Sequence, residues 1–348
     1  MTRTVLSRRT LGALAATAAL ALGVAACGSG TSTDDASAAA GTETAGLSTD
    51  TINLDYAYYN PASLVLKDQG WVEEAAGDGV EVTWTHSAGS NKANESLRGS
   101  IVDFGSTAGS AAFVARANGL PLKTVDVLGL PEWSAIVVGP ESDITSAEDL
   151  AGKTVAATLG TDPYFFLLQT LADAGLSADD VEVVNLQHAD GRTALIRGDV
   201  DAWAGLDPMM ADAELNEGAQ LVVRAPERNT FSVLNVREDY LEEHGDVVAL
   251  VLEQYERARQ WIADNPEEAA ELLASESGVS VEVADTVLNE RTDLTVDPVP
   301  GEDLRAVLER ITPIVVAEEQ VDSEEAAQTS LEGLFGGETI TEVVGAQG

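Results

Sequence analysis

An α/β fold of two lobes with a cleft between them, followed by a helical C-terminal part, is what the sequence predicts. Two observations carry it. Short apolar strands alternate with helical stretches in two successive series, and repeated strand–helix–strand units build parallel sheets covered by helices on both faces. Beyond Arg237 the pattern turns mainly helical. With 348 residues, 45% of them hydrophobic, the chain is long enough for two medium domains with proper cores.

The first series opens with "TINLDYAYY" (51–59), which alternates apolar and polar residues as a strand does. "SLVLKDQGWVEEAA" (63–76) reads as helix and "VEVTWTHS" (80–87) as strand. Residues 91–100 read as helix, 101–107 as strand and 108–119 as helix, and "TVDVLGL" and "WSAIVVGP" supply further strands. The second series begins with a short helix at 146–150, where Ser146 and Asp149 form a capping-box-like start, and a strand that runs to Thr158. A helix over 163–176 ends at Gly175; then come a strand at 181–187, a helix at 189–199 and a strand at 200–208 that runs into a helix. "LVVRAP" and "FSVLNVRED" close the series as strands. The helical part covers 246–264, 267–276, 280–290 and 302–318; in the first of these Val247, Leu250, Val251, Tyr255, Ala258 and Ile262 share one face at helical spacing and mark a core-facing side. Two crossings between the lobes then place 50–135 and 236–348 in lobe one and 136–235 in lobe two.

The N-terminus belongs to export rather than to the fold. Arg3, Arg8 and Arg9 precede an alanine-rich apolar stretch from Leu11 to Ala26, too short and too poorly flanked to span a membrane, so residues 1–26 read as a signal peptide. Val24-Ala25-Ala26-Cys27 is similar to a bacterial lipobox, which implies cleavage before Cys27 and lipid on its sulfur. Ser7-Arg8-Arg9-Thr10-Leu11 also has a twin-arginine look, so both the general and the twin-arginine export routes stay open. Residues 27–49, poor in large apolar side chains, read as a flexible tether. Their expected place is the outer face of the plasma membrane, touched only through the lipid anchor. The single cysteine leaves no internal disulfide and no cysteine-clustered zinc site.

Charge excludes more. The formal net charge is -40, and the signal peptide holds three Arg and no acid, so the mature chain is near -43. Such a chain is repelled by nucleic acid and by anionic lipid surfaces. Catalysis finds little support: His86, His188 and His244 are scattered, Gly105-Ser106-Thr107-Ala108-Gly109 lacks the spacing of a nucleophile elbow, and there is no Walker-type loop. No metal or cofactor is called for.

Ligands in open α/β sheets bind beyond the carboxyl ends of strands, where loops and helix starts converge. Here those loops are small and polar. Ser106 and Thr107 can donate to oxyanions through their hydroxyls and the N–H groups that follow, or merely cap a helix. Gly89 and Ser90 allow close backbone approach or form an ordinary turn. Asn60 caps the first helix or contacts a ligand. Trp133 and Trp203 offer apolar walls or core packing, and Asp207 before Pro208 is a contact or a cap. In "TLGTDPYFFLL" (158–168) Asp162 precedes Pro163 at a helix entry. Either it caps the helix and Thr161 and Tyr164 make the contacts, or its carboxylate faces the cleft and favours a ligand that brings a donor.

The stretches "GSIVDFGSTAGSAAFVARANG" (99–119), "DLAGKTVAATLGTDPYFFLLQTLADAGL" (149–176) and "LIRGDVDAWAGLDPMMA" (195–211) together resemble the binding proteins of ABC importers for aliphatic sulfonates, taurine and related compounds. The Gly-x-Val-Asp-Ala-Trp-x-x-x-Asp-Pro run at 198–208 is the most specific of them. The resemblance spans roughly residues 50 to 320. It implies a periplasmic-binding-protein-like fold of type II, a monomer that closes on a small organosulfur anion, and partners in an ABC permease and its ATPase. Sulfate esters, nitrate and pyrimidine precursors are rival ligands on the same fold, and an enzyme of pyrimidine-precursor synthesis or an extracellular sensor are rivals from other classes. Arg192 is one of few cations placed to offset a sulfonate, unless a surface ion pair takes it. At the helix entry, relatives often carry Ser or Thr where this chain has Asp162.

Overall fold

The computed structural model describes residues 46–347. The expected signal peptide, Cys27 and most of the tether lie outside the described residues. The last tether residues do not behave as a tether. Leu47 packs against the core of lobe one, and Ser48 donates from its backbone N–H to Asp246 (2.8 Å) and bonds the same carboxylate through its hydroxyl. The ordered body therefore begins before Asp50, because one apolar and one hydroxyl side chain find partners there.

The chain runs β1 (Thr51–Tyr56), α1 (Pro61–Gln69), α2 (Trp71–Ala76), β2 (Glu81–His86), α3 (Ser90–Arg98), β3 (Phe104–Ala108), α4 (Gly109–Ala117), β4 (Leu122–Pro131) and β5 (Ile136–Val138). It continues as β6 (Thr154–Ala157), α5 (Asp162–Asp173), β7 (Glu182–Asn185), α6 (His188–Arg197), β8 (Ala202–Ala204), α7 (Met209–Glu217), β9 (Gln220–Val223) and β10 (Ser232–Arg237). Then follow α8 (Glu238–Glu243), α9 (Gly245–Asp264), α10 (Pro266–Ser277), α11 (Val281–Asp285), β11 (Thr292–Asp293), α12 (Glu302–Ala317), α13 (Glu324–Leu334) and α14 (Glu338–Gln347). The helix expected over 63–76 is broken in two, because Gly70 takes the left-handed conformation (φ 64°) and its N–H closes on Leu66.

Two sheets form, in the orders β11-β4-β10-β3-β1-β2 and β7-β6-β8-β5-β9. They are mixed rather than purely parallel. In each, the strand that arrives from the other lobe runs against its neighbours: β5 is antiparallel to β8 and β9, and β10 to β3 and β4. A chain entering a sheet from outside its own βαβ series is free of the handedness rule that keeps the series parallel. Because β10 pairs in the first sheet, the chain has crossed back before Ser232, earlier than the expected 235/236 boundary. "FSVLNVRED" is legible as a strand but carries no mark of which sheet it joins.

Helices cover both faces of the first sheet. On one face α1, α9 and α10 bury Leu64, Val247, Val251, Tyr255, Ala258 and Ile262 with Ile52 and Leu54; Leu250 of the expected stripe is only partly buried. Full burial of each such side chain contributes about 1.5–3 kcal/mol. On the other face α4, α12 and α13 supply Phe113, Leu308 and Leu331, and this core continues through Phe165 and Phe166 of α5 into lobe two. A smaller cluster of Val137, Ala156, Trp203 and Met210 lies under α6 and α7. The lobes are thus joined by packing as well as by the two crossings, with α12 resting on both α4 and α5.

Candidate functional site between the lobes

The loops after β1, β2 and β3 of the first sheet meet the loops after β6, β7 and β8 of the second along one seam. The crossings, Glu132–Ala135 and Arg224–Phe231, brace it from behind. Ser134 N–H donates to Asn229 Oδ1 (2.8 Å), and Arg224 and Glu132 form an ion pair between the two crossings.

Asp162 sits at the centre of this brace and does not cap its own helix. Thr161 is the residue before α5 and makes no capping side-chain bond. Instead, Asp162 Oδ1 accepts from Ser110 Oγ (2.5 Å) and Thr230 Oγ1 (2.8 Å), and Oδ2 accepts from Trp133 Nε1 (2.7 Å) and Thr230 N–H (2.9 Å). These donors come from α4 and from both crossings. Burial pushes the carboxyl's pKa up, and the Ser110, Thr230 and Trp133 bonds oppose that. Both expected roles are therefore corrected: four protein donors fill both oxygens, so the side chain ties the lobes together.

Beside it lies a cavity of about 10 Å3, bordered by Tyr59, Ser90, Ala108, Thr161, His188 and Leu206 together with Trp133 and Asp162. That is at or below the room one water needs, so a ligand enters only as the lobes part. Across the Tyr59–Trp133 pair, whose rings meet edge to face at 6.1 Å, a second cavity of about 30 Å3 is bordered by Tyr58, Asn60, Leu128, Asp207, Ser232 and Tyr255.

The structure brings Asn60, Gly89, Ser90, Trp133, Thr161 and Asp162 to this seam. Asn60 caps α1, its Oδ1 accepting from Ser63 N–H (3.4 Å), while its Nδ2 makes no hydrogen bond and the residue borders the second cavity. Ser90 Oγ accepts from Ala108 N–H (3.0 Å) and holds α3 to β3. Thr161 Oγ1 donates to Thr158 O (2.6 Å). Asp207 borders the second cavity but is occupied, by Arg291 (3.3 Å) and by Ala211 N–H (2.8 Å) at the start of α7; burial pushes its pKa to about 6.

Five expected contacts are placed elsewhere. Ser106 donates its N–H and hydroxyl to buried Asp55 (2.8 and 3.0 Å). Thr107 Oγ1 bonds Ala108 O and Asn235 Nδ2 within the sheet. Tyr164 packs beside Phe165, with Glu318 at the end of α12 adding to the rise of its pKa through burial. Trp203 is fully buried in the lobe-two core, where a Cβ added to Gly191 would lie 2.9 Å from its ring, so it carries α6 rather than a ligand. Arg192 is held by Asp212 and Glu217 (2.9 Å) as a surface ion pair.

Sequence reasoning passed over Ser110 and Thr230, and gave Tyr59 and His188 no ligand role. Of these only His188 carried a legible signal, standing just before a helix that opens lobe two's side of the cleft. In the seam α3 of lobe one and α6 of lobe two start facing one another, and neither N-terminus has a side-chain cap. They approach closely: a Cβ added to Gly89 would lie 2.9 Å from His188 Nε2 and 2.9 Å from Asn91 Oδ1. Helix starts present unpaired N–H groups and positive dipole ends, so two of them converging make a site for an anion without a cation.

Comparison with known proteins gives four findings. Residues 62–269 match the family model described as NMT1/THI5 like. The chain is 30% identical over 224 residues to a protein of Escherichia coli (strain K12) named putative aliphatic sulfonates-binding protein, covering 64% of this chain and 70% of that one. Its fold is similar to the crystal structure of the periplasmic aliphatic sulphonate binding protein SsuA from Escherichia coli, with 26% identity, a TM-score of 0.69, and 79% of this chain and 90% of that one covered. A desulfurization enzyme, DSZB, shares the fold alone, at 16% identity and a TM-score of 0.63 over 86% of this chain and 100% of that one.

Proposed function

The chain belongs to the NMT1/THI5-like family, and within it we propose that this protein is the extracytoplasmic solute-binding component of an ABC importer for an aliphatic sulfonate or related organosulfur anion. The observation that carries the reading is the meeting of α3 and α6, from opposite lobes, with both N-termini uncapped. A sulfonate between them gains hydrogen bonds to an ionised group, each contributing about 1.5–3 kcal/mol when well aligned. Because the donors are divided between lobes, opening the lobes releases the ligand, as delivery to a permease requires. The similarity to aliphatic-sulfonate-binding proteins supports the same ligand class.

The reading is of a binding protein rather than an enzyme. At the seam, burial pushes the pKa of His188 down to about 3, which makes it a poor base. The lipobox-like tetrad at Cys27 supports export and lipid anchoring at the outer face of the plasma membrane, with the body acting as a monomer. A thermal-shift screen with taurine, alkanesulfonates, sulfate esters, nitrate and thiamine precursors tests the ligand class. A binder at about 100 times its Kd adds about 2.7 kcal/mol of stability. A shift with a sulfonate is expected; a shift with nitrate or a pyrimidine and none with any sulfonate rejects the proposal.

A further inference from the structure

His188 opens α6 and is 1% exposed, with its ring at the inter-lobe cavity. Its two nitrogens differ. Thr158 Oγ1 donates its one proton to Leu186 O (2.7 Å), so at 3.2 Å from His188 Nδ1 it can only accept. The ring proton is therefore on Nδ1, and Nε2 is a bare lone pair. Nε2 makes no hydrogen bond, and neither does Asn91 Oδ1, which lies against the same face of Gly89. A buried acceptor without a partner is costly, and here it lies where two lobes close and where helix N–H groups already provide for the anionic part of a ligand.

We infer that His188 is a specificity-determining ligand contact, whose Nε2 accepts a hydrogen bond from an ammonium or hydroxyl group that the anion carries near its sulfonate. This rests on the sulfonate reading and narrows it. A bare alkanesulfonate would bury Nε2 unpaired, whereas an amino- or hydroxy-sulfonate would satisfy it. Gly89 leaves the opposite wall without a side chain, so a donor can reach Nε2 as the lobes part. The neutral ring leaves the anion's charge to the helix starts.

Calorimetric titration of the purified full-length protein with taurine, isethionate and ethanesulfonate tests this, with His188→Leu and His188→Gln beside the wild type. The wild type is expected to bind taurine or isethionate more tightly than ethanesulfonate. His188→Leu should weaken the favoured ligand at least about tenfold, the scale of one hydrogen bond to a charged group, and leave ethanesulfonate within about threefold. His188→Gln, which keeps an acceptor, should recover much of the loss. Equal weakening of all three ligands, or of none, overturns the inference, as does a wild type that binds ethanesulfonate as well as taurine and isethionate. Those outcomes leave the sulfonate reading standing; binding of none of the three overturns both. Imidazole 15N resonances give an answer independent of how the variants fold. With only three histidines to assign, the His188 Nε2 signal should be that of an unprotonated nitrogen and move on saturation with taurine or isethionate; a signal unmoved by both overturns the inference.

Discussion

Asp55 shows how much a buried carboxyl can dictate. It is fully buried on β1, accepts from Ser106 N–H and hydroxyl through Oδ1, and burial pushes its pKa to about 7. Asp207 behaves alike at about 6, with burial partly offset by Arg291. Both folded-state values lie above the ordinary carboxyl, so the folded chain holds these protons more tightly than the unfolded one. The resulting stability is complete below about pH 4 and is lost as pH rises towards 6 for Asp207 and 7 for Asp55. Asp55→Asn, which fixes the neutral form, should flatten the dependence of urea-unfolding free energy on pH between about 4 and 7; an unchanged slope would show that Asp55 does not titrate there. At this scale the sequence was a partial guide. Asp162 was legible as a residue of consequence because Asp before Pro marks a helix entry. Its partners were not, since Ser110 and Thr230 are 52 and 68 positions away and nothing local announces them.

Among elements, the alternation of strand and helix was readable because each strand must bury one or both faces and each helix one stripe. The mixed direction of the sheets was not, because direction depends on which lobe a strand comes from. The C-terminal helices α13 and α14 escaped the reading, although Ser323 caps α13 by accepting Ala326 N–H (3.1 Å), a start signal open to view. On the proposed function, the element contact that matters most is α3 against α6 at Gly89. This glycine has φ 170°, an extended conformation open to any residue, so what excludes a side chain is the neighbour across the seam. Gly89→Ala should therefore leave the unfolding free energy of the unliganded protein within about 0.5 kcal/mol, since the lobes can stay slightly apart. The same variant should weaken sulfonate binding by about tenfold or more, mainly through faster release, because overpacking a closed seam costs about 1–3 kcal/mol. Stopped-flow release and calorimetry check this; unchanged affinity would mean the ligand does not need α3 and α6 in contact.

For the whole molecule, a formal net charge of -40 gives the proposed anionic ligand no long-range attraction, so on this reading capture depends on the local field of helix starts between the lobes. The central claim is that an organosulfur anion is trapped in that seam by closure. The distance between spin labels at Lys92→Cys on α3 and Asp190→Cys on α6, in a Cys27→Ser background, measures it most directly. With taurine or ethanesulfonate at about 100 times its Kd, the distribution should narrow to a single short distance from a broader and longer one in the free protein. Identical distributions with and without saturating sulfonate would contradict the account.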